Sequence, residues 1–96
     1  MRALRSDELL DDRPALAELG ETGPDYVARR SAQWAADTGY SWAVCEPTTG
    51  EMLAEVTLDP ATATLNSRAR DGHVDAAMAG VQSVRRFAEA VLGLTM

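Results

Sequence analysis

The sequence predicts an α+β domain of two N-terminal helices, an antiparallel β-hairpin and a long C-terminal amphipathic helix. Three observations carry that prediction. Between Tyr40 and Leu58 large apolar residues fall at every second position, the period of strands with one buried face. From Val74 to Leu92 they recur at three- and four-residue spacing, the period of a helix that buries one stripe. The length of 96 residues suffices for one hydrophobic core and leaves no room for a second, so residues 1–96 read as a single domain.

The elements follow in chain order. Met1 to Arg5 can supply a short leading strand. Ser6 or Asp12 can cap a first helix running through Pro14-Ala15-Leu16-Ala17-Glu18-Leu19, with Pro in the first turn and Gly20 past the end. Gly23-Pro24-Asp25 opens a second helix through Tyr26, Val27, Ala28, Ser31, Trp34 and Ala35, which stops near Asp37-Thr38-Gly39. Trp34 is its anchor and is expected to pack against the hairpin. The first strand is Tyr40-Ser41-Trp42-Ala43-Val44-Cys45, and Glu46-Pro47-Thr48-Thr49-Gly50 makes the turn, with Pro fixing φ at its entry and Gly accepting positive φ at its exit.

The second strand, Glu51 to Leu58, places Met52, Ala54, Val56 and Leu58 on one face and Glu51, Leu53, Glu55 and Thr57 on the other. Glu51 and Glu55 read as solvated edge carboxylates. From Asp59 to Ala69 the apolar alternation disappears, so this stretch reads as a loop. The last helix aligns Val74, Ala77, Met78, Val81, Val84, Phe87, Ala88, Val91 and Leu92, and Gly93 is placed for a left-handed C-terminal cap. Arg85 and Arg86 read as solvated charges in its C-terminal half, where they suit the helix dipole.

Composition narrows the function classes. The hydrophobic share of 46% and charged share of 25% are those of an ordinary globular domain. No run approaches the length of a membrane-spanning helix, and the acidic start at Ser6-Asp7-Glu8 does not resemble a signal peptide, so a cytoplasmic protein is expected. The net charge of −6, with every cation an Arg, would repel a phosphate backbone, which argues against nucleic acid. Cys45 is the single cysteine and His73 the single histidine, so neither a disulfide nor a zinc site or catalytic triad can be assembled. A buried or half-buried free thiol in a strand is expected of Cys45.

The run from Trp34 through Gly39 to Val44, the turn Pro47-Thr48-Thr49-Gly50-Glu51, the strand end Glu55-Val56-Thr57-Leu58 and the terminal Arg86-Phe87-Ala88-Glu89-Ala90-Val91-Leu92-Gly93-Leu94 resemble the GNAT acetyltransferase superfamily. Within it they look like the branch that acetylates ribosomal-protein N-termini and related small amines. The resemblance implies transfer of an acetyl group from acetyl-coenzyme A to a primary amine. It also implies a cofactor loop opening the long helix, where backbone N–H groups hold the pyrophosphate. The matching residues are Arg70, Asp71, Gly72, His73 and Val74, followed by Asp75.

Arg70 and Val74 fit the family pattern, whereas His73 takes a Gly position and Asp75 a small one. Asp71 and Asp75 also bring carboxylates toward the place of the phosphates. A strand expected between Leu58 and Arg70, and further elements after Met96, are missing from the pattern. No residue reads as a general base or acid. The expectation is therefore weak or absent binding of acetyl-coenzyme A and no catalysis by the chain alone, with a second copy or partner chain completing the sheet. The alternative is a non-catalytic interaction module derived from the same fold.

Overall fold

Two strands buried on both faces, where the sequence pattern predicts one, and a continuous buried stripe on one helix organise the chain, seen in a computed structural model that describes residues 1–7, 9 and 11–94. The element order is α1 (Arg13–Glu18), α2 (Tyr26–Ala35), β1 (Tyr40–Cys45), β2 (Met52–Asp59), β3 (Thr64–Ala69) and α3 (Val74–Val91). The strands form an antiparallel sheet in the order β1-β2-β3. The fold is α+β, with the long helix after the strands as the sequence predicts.

The sheet is covered on both faces. Tyr40, Trp42, Val56 and Leu58 pack with Val84 and Ala88 of α3, while Ala43 and Met52 pack with Leu4, Leu16, Tyr26 and Val27. Met52 departs from the predicted alternation for a definite reason. Val44 pairs with Ala54 but Cys45 pairs with Met52, so the register shifts by one residue and Met52 turns to the α1 and α2 side. Trp34 closes the side of the sheet, edge-on to Tyr40 and Trp42 with ring centroids 5.1 Å from each. α3 crosses the strands closely at Gly80, where a Cβ would lie 2.6 Å from Val44 Cγ2 and 3.0 Å from Val56 Cγ2.

The leading strand reduces to one bridge. Arg2 N–H donates to the Ala43 carbonyl at 3.1 Å and Ala43 N–H to the Arg2 carbonyl at 2.6 Å. Asp12 does stand at the N-terminus of α1, but its carboxylate caps no helix N–H. It is buried and instead accepts two bonds from the Arg2 guanidinium and one from Arg5 N–H, each at 2.7 Å, tying the N-terminus to α1. Gly50 and Gly93 adopt positive φ, as the turn and the helix end require.

The segment read as a loop contains β3. Its register runs without interruption from Ala54 opposite Ala69 to Asp59 opposite Thr64. Periodicity could not reveal it, because Leu65 and Ala69 are its only apolar residues and no residue of the strand is fully buried. Asp59 starts the connection by accepting Ala61 N–H at 3.0 Å, and Ala63 takes a left-handed φ of 53° just before the strand begins.

Candidate functional site

Two groups of polar residues stand on the α1 and α2 side of β2 and β3, and each is organised by one arginine. The first is the predicted cofactor loop. Arg70 N–H still pairs with the Leu53 carbonyl, then Gly72 turns the chain at φ 82° and His73 stands at the N-cap of α3 without a side-chain capping bond. The positive φ at Gly72 is the feature of this loop that requires glycine, since a Cβ there would meet nothing within 4 Å. Glu18, Arg70, Asp71 and His73 line a depression of about 320 Å³. Val74, 63% exposed, does not line it.

Arg70 is already engaged. Its Nε lies 2.5 Å from Glu18, one Nη bonds Glu51, and the same nitrogen donates to the Met52 carbonyl at 3.3 Å. The bond to Glu51, followed by the charges of Glu18 and Glu51, holds its pKa above the ordinary guanidinium value. The residues therefore do not fit a diphosphate. The cation of the loop is held by two carboxylates, and Asp71 and Asp75 add two more charges of the same sign as the ligand around the helix N-terminus.

The second group centres on Glu55, which is buried rather than solvated, with 2% of its surface exposed. Glu55 Oε2 accepts the Tyr26 hydroxyl at 2.6 Å and Oε1 accepts Arg68 Nε at 2.7 Å. The Tyr26 oxygen in turn accepts Arg30 Nε at 3.0 Å and Arg68 Nη2 at 3.2 Å, and Arg68 lies 3.7 Å from Glu21. The Arg30 and Arg68 guanidinium groups also sit over the Tyr26 ring, 5.2 and 5.5 Å from its centroid. Burial, and next the bond to Glu55, raise the Tyr26 pKa; for Arg68 burial works the other way, but the bond and charge of Glu55 prevail and raise it.

A polar cleft of about 300 Å³ opens beside this network, with Thr57, Asn66 and Ser67 on its strand wall. Its chemistry is that of a tie rather than of a catalyst. Both Glu55 oxygens accept bonds, and the Tyr26 proton is committed to Glu55, so neither is poised as base or acid. No described buried side-chain nitrogen or oxygen lacks a partner. Sequence reasoning missed the network because a carboxylate on a polar strand face reads as solvated. The signal available was Glu55 between Ala54 and Val56, with Arg68 as a cation inside a segment free of acids.

Cys45 is half-buried and free, its Sγ 3.7 Å from the Ala43 carbonyl. Among the described residues no group of three His, Cys, Asp or Glu could hold a metal ion, and no helix is long and apolar enough to cross a membrane. No protein-family model, curated protein or solved structure matches the chain.

Proposed function

We propose that the chain is a GNAT-like N-acetyltransferase domain that does not transfer acetyl groups from acetyl-coenzyme A to a primary amine by itself. The order of a leading bridge, two helices, three antiparallel strands, a glycine turn and a long helix supports the resemblance. The observation that carries the inactivity is the charge around the loop, where Glu18 and Glu51 flank Arg70 and Asp71 and Asp75 stand at the helix N-terminus, so that the cofactor phosphates would meet four carboxylates. At the cleft, Tyr26 gives its proton to Glu55, so neither group is available as an acid for a departing thiolate.

Calorimetric titration with acetyl-coenzyme A is expected to show no saturable binding. Free coenzyme A is expected to stay at background with a panel of amines and peptide N-termini. Micromolar binding, or turnover lost on Arg70→Ala, overturns the inactivity. His73→Gly combined with Asp75→Ala is expected to raise affinity by relieving side-chain bulk and one repulsive charge; no gain counts against the GNAT assignment at these residues. The second reading, a non-catalytic interaction module of the same ancestry, is favoured by β3, which pairs on one side only among the described strands.

A further inference from the structure

The two sides of the sheet end differently. Beyond β1, Arg2 exchanges backbone hydrogen bonds with Ala43, and Trp34 covers the neighbouring rings. β3 pairs with β2 alone among the described residues. Arg70 N–H, bonded to the Leu53 carbonyl, fixes which backbone groups turn inward. The alternate residues Leu65, Ser67 and Ala69 therefore direct N–H and C=O outward.

Nothing in β3 blunts that edge. It contains no Pro, its register with β2 has no bulge, and its charged side chain, Arg68, is tied down to Glu55. Apolar surface adjoins it. α3 meets β1 through Gly80 and Phe87, and a rotation of about 100° per residue puts Val81, Val74 and Met78 on the opposite flank, the one turned to β3. Val74 and Met78 are 63% and 62% exposed, and Leu65, toward the other end of β3, is half-buried.

We propose that a second copy of this chain pairs with β3 in antiparallel register about Ser67, joining two three-stranded sheets into one. Charge marks this edge, and its self-complementary register fits this occupant. In a chain of net charge −6 no Asp or Glu lies between Pro60 and Arg70, so two copies meet with least repulsion along β3. The two-fold register sets Ser67 opposite Ser67, Leu65 opposite Ala69 and Asn66 opposite Arg68. No like charges face each other directly. Val74 and Met78 of each copy then border the new strand pair. The proposal deepens the interaction reading and is measured apart from coenzyme A binding.

Sedimentation of the full chain over a wide concentration range tests it. A reversible dimer is expected. Ser67→Pro removes an outward N–H while leaving the inward ladder to β2, so association should weaken by roughly thirtyfold with the circular dichroism of the monomer unchanged. Should that variant fail to fold, Ser67→Cys in a Cys45→Ala background reads the same register. Directly opposed residues of a hydrogen-bonded pair have Cα atoms about 5.5 Å apart, within disulfide reach, so mild oxidation should give a covalent dimer, and Gln82→Cys on α3 should not. A wild-type chain that stays monomeric at high concentration overturns the proposal. So does a dimer indifferent to Ser67→Pro, or cross-linking at position 67 no faster than at 82.

Discussion

Arg68 and Arg70 stand two residues apart on the same face of one strand and its extension, and each pairs with two carboxylates, one in or just before β2 and one at or just beyond the end of α1. Arg68 binds Glu55 and approaches Glu21; Arg70 binds Glu51 and Glu18. The chemistry is the same and the setting is not. Glu55 is 2% exposed and its second oxygen is taken by Tyr26, whereas Glu18 and Glu51 are each 55% exposed. Water can replace Arg70 as a partner for its carboxylates. It cannot replace Arg68 for Glu55, so burial rather than the number of ion pairs decides which cluster the fold depends on.

The largest expected effect follows from removing Arg68. Arg68→Met leaves the Glu55 carboxylate buried with Tyr26 as its one remaining donor, at a cost of about 2–3 kcal/mol, less than for a fully buried partner because Arg68 is itself a third exposed. Urea denaturation measures it. Combining Arg68→Met with Glu55→Met removes the stranded charge and should recover most of the loss. A double variant no better than the single one would mean that Arg68 acts by packing against Tyr26 rather than by pairing.

Tyr26→Phe is the next step down. It deletes the donor to Glu55 and the acceptor of Arg30 and Arg68, for about 1–2 kcal/mol. It also has a pH signature. The folded chain holds the Tyr26 proton above its ordinary pKa, so above about pH 10 the unfolded chain binds fewer protons and stability falls as pH rises toward the folded value. Tyr40, raised by its bond to Asp37, contributes with the same sign. The Phe variant should therefore show a shallower alkaline decline, and an unchanged slope would assign the decline to Tyr40.

The same comparison shows what periodicity could and could not convey. The faces of β1, β2 and α3 were legible because Trp42, Val56 and Val84 sit where strand and helix periods put core residues. β3 was not legible, since a strand that buries little and borders a polar cleft carries no alternation to detect. The loop at Arg70 was readable as a departure from the GNAT pattern through His73 and Asp75. Its pairing with Glu18 and Glu51 was not, because it joins residues distant in sequence through two different elements. Glu55 was misjudged for a related reason. A carboxylate on a polar strand face is solvated unless a helix lies over it, and only the fold shows that Tyr26 of α2 does.

The smallest effect belongs to Arg70. Arg70→Ala frees two half-exposed carboxylates to water and loses a long bond to the Met52 carbonyl, so stability should change by no more than about 1 kcal/mol. Salt separates the clusters further. Near 1 M salt the Debye length shrinks to about 3 Å, and the Arg70 effect should vanish while the Arg68 effect persists, since its partner is shielded by protein rather than by ions. A salt-resistant loss at Arg70 would mean that Glu18 and Glu51 are held rigidly enough for the pairing to brace α1 against β2. The turn from Arg70 to His73 would then be part of the scaffold, and loosening it would cost stability in proportion.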